Sequence, residues 1–159
     1  MKRLLFWVAV ATLVLSGASG VAMAATATSN MTATATVIST CRITSVTNVA
    51  FGSYDPTDTA NLDSTGSFTF RCTRGTDYDL YITGARTMNS ATWVGDNLNF
   101  ELYSDSGRTS VYPSASVGIT GTAASNAADV RTVYGRVAAG QDVRAASDYT
   151  KTVVVTVQF

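Results

Sequence analysis

The stretch GSFTFRCTRGTDYDLYIT, Gly66 to Thr83, decides the fold of this chain. Phe68, Phe70 and Cys72 fall on one side of an extended backbone, and Thr69, Arg71 and Thr73 on the other. After Arg74-Gly75-Thr76, which carries turn chemistry, Tyr78, Leu80 and Ile82 alternate with Asp77, Asp79 and Tyr81. Alternation by two is the mark of a half-buried strand, because successive side chains point to opposite faces. Two such runs about a short glycine turn predict a β-hairpin.

The same period continues outward from this stretch. Asn97 to Asp105 places Leu98, Phe100 and Leu102 on its inner face. Val130 to Val137 is a further strand, in which Gly135 marks a bulge or a close approach. Tyr149 to Phe159 forms the last strand, and Cys41 to Phe51 the first, with a break near Ser45. Ser53 to Thr65, Ala85 to Asp96 and Ser106 to Asp129 are polar loops, the last with room for a short strand around Val117 and Ile119. No apolar pattern holds a 3.6-residue period after residue 24. Six short strands without helices predict an all-β, immunoglobulin-like antiparallel β-sandwich, one strand short of the seven that such a sandwich has.

Residues 1–24 stand outside that fold. Met1, Lys2 and Arg3 give a positive start, Leu4 to Leu15 an apolar run, and Ala22-Met23-Ala24 a small-x-small cleavage pattern, which together predict a signal peptide. An uncleaved anchor is the alternative, but Ser16, Gly17, Ser19 and Gly20 interrupt the run short of the roughly 20 residues a span needs. Without Lys2 and Arg3, nine basic and eleven acidic side chains remain, a net charge of −2. That balance gives no support to nucleic-acid or anionic-membrane binding. Two cysteines, Cys41 and Cys72, in an exported chain imply one disulfide.

The residues offer little for catalysis. The chain has no histidine, which excludes Ser-His and Cys-His nucleophile arrangements, and no glycine-rich phosphate loop follows a strand. Asp77 and Asp79 share a strand face, and Asp55, Asp58 and Asp63 share a loop. Such groups can act as paired carboxylates or hold calcium, yet far more often they are solvated acids. Gly135 to Gly140, GRVAAG, is a strand end running into a turn. No enzyme activity, no cofactor, no metal and no small-molecule substrate is expected. The sequon Asn30-Met31-Thr32 arises easily by chance in a threonine-rich segment.

The terminal strand poses a different question. Its row Val153, Val155, Val157 and Phe159 borders an open groove if the partner strand is missing, and a bare strand edge is a template for another chain. One strand-like segment is left over in front of Cys41, with Met31, Ala33, Ala35 and Val37 on one face. After Asn30 this segment has no Gly, Pro, Asn or Asp to turn it back before the strand beginning near Val37, so it is expected to run straight out of the domain. A protruding strand and an open groove form a head-to-tail pair of surfaces that propagates into filaments. A flexible tail on a complete, self-contained sandwich remains the competing reading, and pattern alone leaves both open.

Several stretches taken in order carry a resemblance: Cys41 followed by VAFGSYDP (Val49 to Pro56), TGSFTFRCTRGTDYDLYITG (Thr65 to Gly84), LNFELYSD (Leu98 to Asp105), VYGRVAAGQ (Val133 to Gln141) and YTKTVVVTVQF (Tyr149 to Phe159). Together they resemble the spore coat protein U domain family, which contains the pilins of archaic chaperone-usher pili. The resemblance implies a pilin that lacks its seventh strand and is stabilised by a periplasmic chaperone. Assembly at an outer-membrane usher would replace the chaperone's strand with the N-terminal strand of the next identical or related pilin subunit. Carried onto this chain, the donor strand is residues 25–36, with Met31, Ala33 and Ala35 entering the groove, and the pilin domain is residues 37–159. A basic chaperone site is expected to hold the Phe159 carboxylate. Ser147, Lys151 and Tyr112 depart from residues common in the family. A single domain implies a shaft or minor subunit, reaching the cell surface through the periplasm. The alternative is a self-contained secreted or coat β-sandwich that acts as a binding module.

Overall fold

The computed structural model describes residues 24–159, so the expected signal peptide lies outside the described residues except for Ala24. The chain divides into two units, Met1–Ala35 and Thr36–Phe159. In the first, residues 24–35 form no helix or strand and are exposed throughout.

The second unit holds eight strands: β1 (Cys41–Thr47), β2 (Leu62–Cys72), β3 (Asp77–Thr83), β4 (Thr87–Asn89), β5 (Asn97–Tyr103), β6 (Ile119–Thr122), β7 (Asp129–Val137) and β8 (Val154–Gln158). They form a five-stranded sheet in the order β1-β2-β7-β5-β4 and a three-stranded sheet in the order β6-β3-β8. Every pairing is antiparallel, and no helix occurs among the described residues. The fold is all-β, as the period-two pattern requires.

Alternation sorts side chains as expected. Phe68, Phe70, Leu98, Phe100, Leu102, Val133 and Val137 from the five-stranded sheet pack with Tyr78, Leu80 and Ile82 of β3 in one core. Burying each such side chain contributes roughly 1.5–3 kcal/mol, which makes this layer the main source of stability. The Cys41–Cys72 disulfide joins β1 to β2 at a directly opposed pair.

The expected hairpin does not form. β2 and β3 belong to different sheets, and the turn between them carries the chain across the sandwich. Thr76 N–H donates to Thr73 O at 3.0 Å, and Gly75 N–H to Ala123 O at 2.8 Å, which closes this arch. Phe70 and Tyr78 then meet edge-on with ring centroids 5.0 Å apart. Alternation demands that one face of each run be buried, and two runs facing each other satisfy it as well as two runs side by side.

Other boundaries shift too. The first strand ends at Thr47 rather than Phe51, with its register slipping between Ile43 and Ser45, where a break was expected. Leu62 to Thr65, expected as loop, belongs to β2, because it pairs with β7. The loop 85–96 contains β4, and the loop 106–129 contains β6, so the six expected strands become eight. The terminal strand is shorter than expected, Val154–Gln158.

One short stretch ties the sheets together. Tyr112 N–H donates to Leu102 O of β5 at 2.7 Å, while Pro113 O accepts from Ile82 N–H of β3 at 2.9 Å. Tyr112 is thereby drawn into the core, where burial pushes its hydroxyl pKa up to about 12 and leaves it without a hydrogen-bond partner among the described residues.

Candidate functional site

The two sheets do not close on each other along one side. β8 pairs through Val154–Gln158 with β3, and no strand pairs with its other edge among the described residues. One neighbour of the terminal strand is therefore its own chain, in the form of β3, an expected strand; the open edge lies on the other side. Across the gap, residues 46–54 leave the end of β1, the outer strand of the five-stranded sheet. Between these walls lies an open cavity of about 870 Å³. Phe68, Ile82, Leu98, Phe100, Leu102 and Val133 are among its lining residues, so the groove reaches the core itself.

Two glycines shape the wall opposite β8. A Cβ on Gly66 would stand 2.8 Å from the Val49 side chain, and one on Gly135 would stand 2.6 Å from Val49 and 2.7 Å from Phe51. Their bare backbones let residues 47–51 lie down on the inner face of β2 and β7. Gly135 pairs with Ser64 in an unbroken register, so it is a close approach and not a bulge. Phe51 stacks obliquely on Phe100 at 5.9 Å, and Ser64 Oγ donates to Ala50 O at 2.6 Å. Further along, Gln141 N–H donates to the Tyr54 hydroxyl at 2.8 Å, which in turn donates to Ala138 O at 3.1 Å.

On β8 and its approach, side chains alternate. Val153 and Val155 line the groove. Val157 is half-buried against the core, and Val154 faces outward. Phe159, expected at the groove edge, is 60% exposed and lies instead beside Asp77, Tyr78 and Gly121, at a shallow depression past the end of β8. The expected donor residues Met31, Ala33 and Ala35 are exposed. The pattern did not mark residues 46–54 or 143–150 as walls, since 46–51 were expected as the end of the first strand and 143–148 hold no regular period; only the VAFGSYDP stretch pointed to the first.

The carboxylates weighed as catalytic or calcium-binding groups are dispersed. Asp55 is held below its ordinary value chiefly by the Thr57 hydroxyl, and Asp63 chiefly by Arg136, with which it forms a two-pronged ion pair. Asp79 accepts Val117 and Gly118 N–H at 2.7 Å each, and Asp77 accepts the Thr122 hydroxyl. No group of three or more His, Cys, Asp or Glu is placed to hold a metal among the described residues. The groove is more apolar than polar, with Arg144 and Lys151 its only charged lining residues among those described.

Residues 27–156 match the family model of the Spore Coat Protein U domain. The chain belongs to the Spore Coat Protein U domain family. No curated protein matches it. Among solved structures, this Spore Coat Protein U domain is similar to a chain of the CsuC-CsuE chaperone-tip adhesion subunit pre-assembly complex from the archaic chaperone-usher Csu pili of Acinetobacter baumannii. The TM-score is 0.53 at 20% identity over 78% of the present chain. This chain spans only 40% of the length of that one, and the likeness is one of fold.

Proposed function

We propose that this protein is a structural subunit of a surface pilus assembled by the chaperone-usher pathway. Its groove accepts the N-terminal segment of the next subunit, and its own residues 25–36, led by Met31, Ala33 and Ala35, enter the groove of another. The observation that carries this reading is the open edge of β8 beside an apolar cavity that reaches the core. A strand laid there gains main-chain hydrogen bonds along Val153 to Val157, worth about 1 kcal/mol net each. It also covers apolar surface at roughly 25 cal/mol per Å². Family membership and the likeness to a chain of a chaperone-subunit complex support the same reading.

In this reading residues 1–24 direct export, a periplasmic chaperone occupies the groove first, and an outer-membrane usher is where the exchange takes place. The partners are proteins, identical or related subunits; the role is structural, not enzymatic. The test is a graft. Moving residues 25–36 to follow Phe159 through a short turn is expected to give a stable monomer, whereas the unmodified protein produced without a chaperone is expected to be unstable or to aggregate. A domain trimmed to residues 37–159 that is as stable and monomeric as the graft would show the sandwich to be self-contained, as in a secreted binding module.

A further inference from the structure

The connection from β7 to β8, Ala138 to Val153, has no strand of its own apart from one bridge between Thr150 and Asn89. Structureless connections of this length are uncommon in a compact domain and usually carry function. Residues 143–147 line the groove, yet no main-chain to main-chain hydrogen bond involves them among the described residues. Side chains hold them instead.

The chief anchor is Asp148. Its carboxylate accepts the Ser90 hydroxyl, the Thr92 N–H and the Thr92 hydroxyl, each at 2.7 Å. Ser90 is itself buried, and its oxygen accepts Trp93 N–H at 2.9 Å. Trp93 completes the bracket: its Nε1–H donates to Ala145 O at 3.2 Å, and the Arg144 guanidinium lies 5.1 Å above its ring. Asp96 accepts Arg144 N–H at 3.0 Å, and the Tyr149 hydroxyl donates to Arg144 O at 2.9 Å. Hydrogen bonds to an ionised carboxylate are about twice as strong as neutral ones. A wall held this way is open to release by one substitution, which a strand ladder is not.

We infer that Asp148, acting through Ser90 and Thr92, is the positioning residue of a strap, residues 142–149, that forms one wall of the groove and grips the strand entering it. The inference rests on the strand-accepting reading given above. A wall already in place spares the incoming strand the entropy of ordering it, so the effect falls on how long the strand stays.

Two measurements on the full chain, refolded and held dilute enough to stay monomeric, test this. The first is amide hydrogen exchange of the strap, which involves no ligand. The second is the release rate of a fluorescent peptide with the sequence of residues 25–36. Asp148→Ala is expected to speed exchange in residues 143–149 and to release the peptide at least about tenfold faster, with exchange in β2 and β7 unchanged. Thr92→Ala, which removes one of the three bonds and keeps its N–H, is expected to shift both in the same direction by less, and serves if Asp148→Ala does not fold. Unchanged strap exchange would show that Asp148 does not pin the wall. Faster strap exchange with unaltered peptide release would remove the strap from the site; either result overturns the inference and leaves the pilus reading standing. A wild-type chain that never takes up the peptide would sink that reading, and the gripping role with it.

Discussion

β2 and β8 are both strands with apolar residues on one face, yet they sit at opposite extremes of the same fold. β2 is paired on both sides, with β1 and β7, and its inward Phe68 and Phe70 are each 1% exposed. β8 is paired on one side only, with β3, and the valines along its inner row, Val153, Val155 and Val157, remain half-buried. The difference does not lie in hydrophobicity, since VVVTV is at least as apolar as SFTFR. It lies in neighbours: β2 is saturated in main-chain bonds and packing, and β8 has a donor and acceptor row, together with an apolar face, left to satisfy.

The sharpest way to break this comparison is to truncate both faces. Phe68→Ala is expected to cost about 3–5 kcal/mol in urea unfolding, because its ring is enclosed. Val155→Ala is expected to cost less than about 1.5 kcal/mol in the isolated chain, and more once a strand fills the groove. Equal costs for Val155→Ala in the open and the strand-completed protein would mean that the groove is not where a strand packs.

The disulfide bears on the same contrast, for it ties the saturated β2 to β1, an outer strand paired on one side only. Cys41 and Cys72 are 31 residues apart, and closing such a loop removes denatured-state entropy worth roughly 3 to 4 kcal/mol in the chain-entropy model. Replacing both cysteines with serine is expected to lower the urea midpoint accordingly, while strand uptake at the groove persists. Loss of uptake at denaturant-free stability sufficient for folding would tie β1 to the groove more closely than its exposed position indicates.

A smaller effect is expected at Tyr112. Its hydroxyl is buried without a partner among the described residues, and such a group costs about 1–3 kcal/mol in lost hydration. Tyr112→Phe, which keeps the ring against Phe68, is therefore expected to leave thermal stability unchanged or to raise it. A clear loss of stability would show that the hydroxyl is satisfied after all.

The smallest change concerns pH. Bonds from Ser90 and Thr92 lower the Asp148 carboxyl from 3.8 to about 2. A carboxyl depressed in the folded state favours folding above its unfolded value, and that contribution is lost as pH falls from about 4 through about 2. Asp148→Asn is expected to flatten the acid limb of a stability-versus-pH curve within that window and to leave its neutral region's shape alone. An unchanged acid limb would place the carboxylate outside the bracket described for the strap.

How much of this was legible beforehand follows the same divide. The core faces of β2, β3 and β5 were readable residue by residue, and the extent of β7 almost to the residue, because burial on one face imposes a period of two. The pair Cys41 and Cys72 and the irregularity near Ser45 were readable as well. The arch at Arg74-Gly75-Thr76 was not, since the period that marks a strand says nothing about which sheet it joins. β4 was hidden in a polar loop, as an edge strand this short buries too little to leave a pattern, whereas β6 begins at Ile119, where the loop 106–129 had room for a short strand. At the groove, the row Val153, Val155 and Val157 was read from alternation, and Phe159 was carried along with it although the strand ends at Gln158.

The sequence by itself determined the strand class and the inward faces of the central strands, because each depends on spacing along one segment, and the disulfide, because the chain has two cysteines and one way to pair them. Only the tertiary structure decided that β2 and β3 face each other, that Gly66 and Gly135 admit Val49 and Phe51, and that Asp148 reaches Ser90 and Thr92. Those contacts join residues far apart in the chain, and no local period records which distant backbone will arrive to fill the space a side chain leaves.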